Sequence, residues 1–273
     1  MNDARPSSSI SGESRNYGSD ERVSGSGYVW PVYKGTSFNI WVPDTGVYYD
    51  SADAESMIAH LQEKRLSQCR TQSSAFAELD EEVVDNAATL PCRHPRITFR
   101  DVTRSTDSRT LIASLVPGER VIVHQAPYLL RTSGGAVDEA YLLGVLSSMP
   151  CDWQSRRTVE LHMTFEQFGL LSVPDPGEGD PVRDRVVEIA GRLAAVDERF
   201  RDWAAEVGVS VGSANDDAVK QNLICELDAC VAHLYGLDED DLAVVYDTFS
   251  ETVDYSERHA AVLAHFRKLH DRV

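Results

Sequence analysis

The arginine-rich segment over residues 93–109 has the residue types in this sequence that are best suited to binding a charged partner. Its five arginines, set against only two aspartates, are Arg93, Arg96, Arg100, Arg104 and Arg109. Arginine grips phosphate oxygens with paired hydrogen bonds and also reads the edge of guanine. A segment of this composition therefore suits contact with DNA.

The same segment predicts a strand followed by a polar turn. Alternation places Arg96, Thr98 and Arg100 on one face of the strand and two apolar residues on the other. The turn over Arg104–Ser108 then displays guanidinium, hydroxyl and carboxylate groups together. Arg104 lies at the tip of this turn, so it is the best candidate for a base or phosphate contact.

These charged groups could instead stabilise the fold. Arg100 could pair with Asp101, and Arg109 with Asp107, as ion pairs that tie one hairpin to another. Even in a DNA-binding loop, we expect Arg100 and Arg109 to brace the loop through these two aspartates. Composition alone leaves both interpretations open.

The sequence lacks the motifs of enzymes that modify or cut DNA. It has no Pro-Pro dipeptide, which adenine-N6 methyltransferases place before an aromatic residue to hold the flipped base. A Gly-x-Gly-x-x-Gly cofactor loop that follows a strand is also absent. A metal-dependent nuclease of the Asp/Glu-x-Lys type needs a carboxylate two residues before a lysine, and none of the four lysines has one. We therefore expect no cofactor in this chain and no catalysis by it alone.

Metal binding and disulfides are not expected either. Cys225, Cys230 and His233 are close in sequence, but at spacings of five and three their side chains diverge on a helix. The five cysteines are scattered, which favours reduced and buried thiols. Because the chain has no long apolar run and no signal peptide at its start, we expect a cytoplasmic protein without a membrane partner.

The acidic composition at first argues against a nucleic-acid partner. The formal net charge is -18, whereas affinity for DNA comes from neutralising phosphates. However, the cations are four lysines and 22 arginines, and the acidic residues are spread along the chain. This pattern is typical of proteins adapted to high salt, so the acidity indicates habitat more than partner.

The order of residue types predicts an α+β fold. Residues 1–26 have almost no large apolar side chains and predict a disordered tail. An α+β domain is expected over 27–178 and a helical region over 179–273. Predicted strands cover 28–33, 38–42, 46–49, 96–102, 110–115 and 120–124. Predicted helices cover 54–66, 136–149, 217–235, 238–249 and 256–270.

The clearest helix signal spans Val182–Val207. Asp180 can cap this helix, Pro181 suits its first position, and Gly208 provides a stop. Apolar residues recur at alternating spacings of four and three, which is the a/d pattern of a heptad. The pattern predicts one long continuous spacer helix whose apolar face packs on a neighbouring helix.

Several pieces of the sequence, in order, resemble the C-terminal target-recognition region of type IIG restriction-modification enzymes and related phage-defence adenine-N6 DNA methyltransferases. Residues Phe99–Thr110 match the pattern FRDxxRxTxxRT of that region. The other matching pieces are Trp30–Gly35, Tyr141–Met149, Asp152-Trp153, Arg156-Arg157, Leu171–Pro174 and Glu226–Gly236.

This resemblance implies a module that reads double-stranded DNA for a methyltransferase or restriction subunit. S-adenosylmethionine is then expected in the Rossmann-like catalytic domain of that partner and not in this chain. The α+β domain over 27–178 would be the target-recognition domain. DNA contacts are expected from Arg100, Arg104, Thr106, Arg109, Lys34 and Arg156, with Arg131 next.

An acidic interaction protein is the alternative function. Such a protein would mimic DNA and occupy the groove of a defence-system partner. The heptad helix and the acidic stretch over 216–254 would serve this role. A mimic, however, does not need an arginine-rich loop.

Overall fold

The computed structural model describes residues 28–249 and 253–270, so the predicted tail over 1–26 lies outside the described residues. Short strands and many helices alternate along this range, which confirms the α+β class. The strands are β1 (Val29–Tyr33), β2 (Asp50–Asp53), β3 (Arg96–Phe99), β4 (Ala113–Val116) and β5 (Val121–Ile122). The α-helices are α1 (Ala54–Gln68), α2 (Glu81–Asp85), α3 (Ala136–Ser147), α4 (Met149–Ser155), α5 (Phe165–Phe168), α6 (Pro181–Ala194), α7 (Arg201–Val207), α8 (Asp217–Leu234), α9 (Glu239–Asp247) and α10 (Ser256–His270).

The strands form two small sheets. β1 is central in one sheet, antiparallel to β2 and parallel to β5. β3 and β4 form an antiparallel hairpin in which Ile97 lies opposite Leu115. The connection between β3 and β4, residues 100–112, is the arginine loop. The predicted polar turn therefore lies between two paired strands, as expected.

Strand β3 is buried on both faces, so its alternating polar residues do not mark an exposed face. Arg96 is 5% exposed, and its guanidinium donates to the carbonyls of Pro91 at 2.9 Å and Arg120 at 2.8 Å. Burial lowers the pKa of Arg96 to about 10. On the other face, Phe99 stacks on Phe168 with ring centroids 4.6 Å apart. Arg96 is thus a structural residue of the hairpin.

Helices α3, α6 and α8 pack together behind the hairpin. Gly144 on α3 permits a close approach, since a Cβ there would lie 2.7 Å from Val186 Cγ1 of α6. One apolar cluster joins Ile97 and Phe99 of the hairpin to Leu227 of α8. The core is therefore continuous across residue 179, and the domain boundary there stays a prediction.

The predicted continuous helix over 182–207 is wrong. α6 ends at Ala194, a 3-10 turn follows at Glu198–Phe200, and α7 ends at Val207, where Gly208 has φ 84°. The heptad stripe is nevertheless buried, at Val182, Val186, Ile189, Leu193, Phe200 and Trp203. The apolar spacing thus predicted burial correctly but not continuity.

Hydrogen bonds from outside the helix stabilise this break. The side chain of Asp197 accepts from the backbone N–H of Arg199 at 3.0 Å and so competes with the helical bond. The freed carbonyl of Ala195 accepts from the N–H of Gly212 at 2.7 Å. The carbonyl of the next residue, Val196, accepts from the side chain of Asn215 at 3.0 Å. Carbonyls that would have continued the helix are therefore satisfied by the loop after α7.

The strands predicted over 38–42 and 46–49 are also wrong, because both segments lie in an irregular loop. Asn39 and Val42 pair with each other across a tight turn. Phe38 and Trp41 are buried in that loop, so their aromatic character reflects burial and not a strand. The strand that does follow, β2, has the sequence Asp-Ser-Ala-Asp, which has low strand propensity.

Four of the five cysteines are buried, as predicted, and all five are free thiols. Burial raises the pKa of Cys151 and of Cys230 to about 12. Within the described ranges, no three His, Cys, Asp or Glu residues are grouped so as to hold a metal ion. In the same ranges no helix combines the length and apolarity needed to cross a bilayer.

Candidate functional site

The tip of the arginine loop is a turn closed by short-range hydrogen bonds. The side chain of Asp107 accepts from the N–H of Arg104 at 3.0 Å, and the Asp107 N–H donates to the Arg104 carbonyl at 3.1 Å. The Thr103 hydroxyl donates to the carbonyl of Thr110 at 2.7 Å. The Thr110 hydroxyl in turn donates to the Arg104 carbonyl at 3.2 Å. Residues 104–107 are therefore held on a defined backbone.

Arg109 anchors the base of the loop to α4. Its Nε donates to the fully buried Asp152 carboxylate at 2.5 Å, and its Nη2 donates to the Ser147 carbonyl at 2.9 Å. The same carboxylate accepts the N–H of Thr110 at 3.0 Å and that of Leu111 at 2.7 Å. Arg109 therefore braces the loop, as expected, but its predicted partner Asp107 is wrong and the partner is Asp152.

Arg100 braces the other end of the loop, also with a different partner from the one predicted. Its Nε donates to the carbonyl of Gly35 at 2.7 Å and its Nη2 to that of Phe38 at 3.1 Å. Asp101 instead pairs with His162 at 3.3 Å. Burial lowers the pKa of Arg100 from its ordinary value. Arg100 therefore joins the loop to the segment after β1.

Arg156 is committed to packing and to the loop backbone. Its Nη2 donates to the carbonyl of Asp107. Its guanidinium lies over the ring of Phe249, 3.9 Å from the centroid. Burial lowers the pKa of this arginine. Arg156 thus stabilises the backbone of the turn through the Asp107 carbonyl.

The remaining predicted contact residues are differently placed. Arg104 and Thr106 are exposed at the tip, and their side chains form no hydrogen bond or ion pair with any described residue. Lys34 is half-buried and precedes Gly35, whose carbonyl Arg100 binds. Arg131 lies 3.8 Å from Glu139. Arg104 and Thr106 are thus the predicted residues most available to a partner.

A cleft of about 530 Å³ opens beside the base of the loop. Its walls come from residues 39–41, from the arginine loop, and from α8 and α10 with the residue before α10. The described residues that line it include three arginines, Arg100, Arg109 and Arg258, but one carboxylate, that of Asp107. Tyr255 closes one side by donating its hydroxyl to the Ser108 carbonyl at 3.2 Å. The cleft therefore joins the loop to the helical region.

Arg258 forms a second buried arginine–aspartate pair on the helical side of the cleft. Its Nη2 and Nε donate to Oδ2 of Asp228 at 2.6 and 2.9 Å. Asp228 also accepts the Tyr246 hydroxyl at 2.7 Å and the N–H of Met149 at 2.9 Å. Burial alone would lower the pKa of Arg258, but the Asp228 carboxylate raises it overall. Asp228 therefore links α4, α8, α9 and α10.

Trp41 is the strained residue of the cleft. It has φ 56°, a left-handed conformation that costs a bulky residue about 1 to 3 kcal/mol. Its carbonyl accepts from Nζ of Lys220 on α8 at 3.0 Å. The side chain is 4% exposed, and its indole Nε1 has no hydrogen-bond partner among the described residues. A buried donor without a partner costs about 1 to 3 kcal/mol.

Comparison with known proteins gives little support for an assignment. No protein-family model matches the chain, and no curated protein matches it. Among solved structures, the chain is similar to the Type IIL restriction-modification enzyme MmeI in complex with DNA, at 12% identity and a TM-score of 0.38. The match covers 82% of this chain and 31% of that one, so the chain spans about a third of the length of that enzyme. A TM-score of this size is below that of a shared fold, so the similarity assigns neither fold nor function.

Sequence reasoning missed the two buried aspartates that hold arginines of the cleft in place. Asp152 and Asp228 occur within the motif pieces quoted above, yet no role followed for either. The signal that could have found them is an aspartate inside an apolar helical stretch, since a buried carboxylate needs an arginine partner. For Trp41, we find no such signal in the sequence.

Proposed function

We propose that this chain binds double-stranded DNA through the tip of the arginine loop and provides sequence specificity to a methyltransferase or restriction partner. The observation that supports this most is the contrast within the loop. The guanidinium of Arg104 is exposed and bonds to no residue that the structure describes, whereas those of Arg100, Arg109 and Arg156 are bonded within the protein. A cation on a braced turn loses rotamer entropy on binding but little backbone entropy, because the turn is already ordered.

The chemistry of the tip fits both kinds of DNA contact. Arg104 can form paired hydrogen bonds to guanine or to a phosphate, and Thr106 adds a hydroxyl two residues away. The net charge of -18 opposes approach to a polyanion, so binding depends on this local site and on the partner.

Catalysis is assigned to the partner. The sequence offers no loop for S-adenosylmethionine and no motif to hold a flipped adenine. We expect the pure chain to transfer no tritium from labelled S-adenosylmethionine to DNA. Detectable transfer would show that it is itself a methyltransferase.

The DNA contact is tested by fluorescence anisotropy with a pool of randomised duplexes over a potassium chloride series. Arg104→Ala is compared with the wild-type chain and with Arg70→Ala, which removes the same charge from an exposed position after α1. A lost phosphate contact weakens binding to all duplexes and lowers the salt slope by about one. A lost base contact costs about 1 to 3 kcal/mol at one base position.

Two results would contradict the proposal. The first is the absence of duplex binding by the wild-type chain, with or without its partner. The second is equal binding by Arg104→Ala and Arg70→Ala. The first result would favour the alternative of an acidic protein that mimics DNA, and the second would show that the DNA contact lies elsewhere on the chain.

Part of the acidity that favours such a mimic has a structural explanation. Asp216 accepts the N–H of Val219 at 2.9 Å and so caps α8. Asp238 accepts the N–H of Asp241 at 2.8 Å and caps α9. Acidic residues at helix N-termini interact favourably with the helix dipole. These residues therefore have a role in the fold and are not by themselves a sign of a surface that mimics DNA.

A further inference from the structure

Arg157 is an exposed arginine to which sequence reasoning assigned no role. It follows Arg156, a predicted DNA contact that the structure commits to the Asp107 carbonyl and the Phe249 ring. Most of the described arginines likewise bond to carbonyls or carboxylates of the protein. The described arginines that are exposed and whose side chains form no hydrogen bond or ion pair with a described residue are Arg70, Arg93, Arg104 and Arg157.

Among these four arginines of the described chain, Arg157 is the one whose side chain lies over an aromatic ring. Its guanidinium carbon is 4.4 Å from the centroid of the Trp153 ring. Arginine stacks on aromatic faces through its planar guanidinium, which leaves the N–H donors along the edge free for an acceptor. The donors of Arg157 are therefore oriented by the protein, yet they bond to no residue that the structure describes.

Trp153 is itself held in place and so provides a rigid support for Arg157. Its indole N–H donates to the hydroxyl of Thr248 at 3.2 Å, and that hydroxyl donates to the carbonyl of Val244 on α9 at 2.8 Å. The Trp153 ring also packs against an apolar cluster to which α8, α9 and α10 contribute. A guanidinium that is ordered before binding loses less rotamer entropy when it binds.

Helix α4 fixes the position of Arg157 relative to the arginine loop. Asp152 of α4 holds Arg109 at the base of the loop. Arg156, directly after α4, donates to the Asp107 carbonyl in the turn. Arg157 is next, and consecutive Cα atoms are about 3.8 Å apart, so this end of α4 lies about one arginine side chain from the turn. A duplex that takes the tip into its major groove, about 12 Å wide, would bring the phosphates at the groove edge to this end of α4.

We propose that Arg157 binds a backbone phosphate of the same duplex that Arg104 contacts at the tip. This inference rests on the proposed DNA-binding function and adds a backbone contact to it. The Trp153 indole covers one face of the guanidinium, and the edge of the guanidinium forms paired hydrogen bonds to phosphate oxygens. Phosphate contacts set the register of a protein on a duplex and carry no sequence information. Arg157 therefore fixes how the tip meets the bases.

Arg157→Met tests this contact, since methionine keeps an apolar side chain beside the Trp153 ring and removes the charge. Binding is measured by anisotropy with randomised duplexes over a potassium chloride series, with the full chain and its partner. We expect affinity at low salt to fall about tenfold, equally for all duplexes, and the salt slope to fall by about one. A loss confined to one base position would overturn the phosphate contact.

Arg70→Met is the matched control, because Arg70 is also exposed and has no described ion pair. Equal salt slopes for Arg157→Met and Arg70→Met would overturn the proposal. If Arg104→Ala then still weakens binding, this inference fails and the proposed function stands. If the wild-type chain and its partner bind no duplex, both fail.

The double variant Arg104→Ala/Arg157→Met tests whether both arginines contact one duplex. Two side chains that bind the same duplex at separate points should have additive free energies, so the two fold-losses in affinity should multiply. A double variant that binds no more weakly than the weaker single variant would overturn the shared duplex.

Arg157→Lys separates charge from geometry. Lysine keeps the charge, so the salt slope should return to that of the wild-type chain, but affinity should recover only in part because an ammonium lacks the planar fork. A lysine variant with the salt slope of Arg157→Met would overturn the phosphate contact.

Thermal melts test the alternative that Arg157 only covers Trp153. In Arg157→Met the melting temperature should change by less than about 4 °C, as for loss of one exposed cation–π contact. A larger drop in melting temperature together with an unchanged salt slope would show that Arg157 is structural only and would overturn its role in binding.

Discussion

The base and the tip of the arginine loop use the same residue type in opposite ways. At the base, Arg100 and Arg109 direct their guanidinium groups inward, to carbonyl oxygens and to a buried carboxylate. At the tip, Arg104 contributes its backbone to the turn and leaves its side chain in solvent. The difference shows that an arginine count predicts neither role, because the role depends on which acceptors the fold brings within reach.

The hydrogen bonds at the base of the loop lower the entropy cost of binding through Arg104 at the tip. A long exposed side chain loses rotamer entropy when it binds, and a mobile loop would lose backbone entropy as well. The bonds made by Arg100, Arg109 and Arg156 remove most of the second cost in advance. The comparison thus predicts that changes at the base lower stability, whereas changes at the tip affect binding alone.

Removing the acceptor at the base should have the largest effect. Asp152→Ala leaves the Arg109 guanidinium and the N–H groups of Thr110 and Leu111 without their buried partner. We expect the free energy of unfolding in urea to fall by about 3 to 5 kcal/mol, as for other broken buried pairs. Asp184→Ala, on an exposed face of α6, is the control. A loss no larger than that of the control would show that the pair does not support the loop.

Arg100→Ala should have an intermediate effect. It removes the donors to the carbonyls of Gly35 and Phe38. Arg100 is only half-buried and water can replace part of this bonding, so we expect the free energy of unfolding to fall by about 1.5 to 3 kcal/mol in all. Arg100→Lys should recover only part of the loss, since an ammonium lacks the planar fork that reaches two carbonyls. Full recovery by lysine in thermal melts would mean that charge, and not geometry, is what this position requires.

Changes at the tip should have the smallest effect on stability. Arg104→Ala and Thr106→Val remove side chains without described partners, so we expect the free energy of unfolding to change by less than about 0.5 kcal/mol. The same urea experiment measures both. If Arg104→Ala costs as much as Arg100→Ala, the tip is part of the scaffold and the contrast within the loop fails.

The fold could be predicted from sequence where local signals decide it. Helix α1 begins after Asp53, whose side chain accepts from the N–H of Ser56, and α8 ends just before Gly236, which has φ 68°. Capping residues and positive-φ glycines act within one turn of chain, so these bounds were close to the prediction. The break after Ala194 was missed because residues 212–215, distant in sequence, stabilise it.

In the candidate site, too, local features were predictable from the sequence and long-range contacts were not. The turn over Arg104–Ser108 was predictable, since its polar residues bond to near neighbours. The partner of Arg109 was not, because Asp152 lies 43 residues further along the chain. Short-range pairing with Asp101 and Asp107 was the natural expectation from sequence, and the tertiary fold offered better acceptors. Trp41 could not be predicted, since burial and left-handed backbone arise there from packing.

Helix α4 gives the two walls of the cleft a common support. Its first N–H, at Met149, binds Asp228, which holds Arg258 on the helical wall. Three residues later, Asp152 holds Arg109 on the loop wall. If either wall opened alone, a buried carboxylate at α4 would lose its arginine partner, which is costly. The two walls should therefore open together as one cooperative unit and not by local fraying. Amide hydrogens of α4 and of residues 110–111 should then show one shared free energy of opening in deuterium exchange, equal to that of global unfolding.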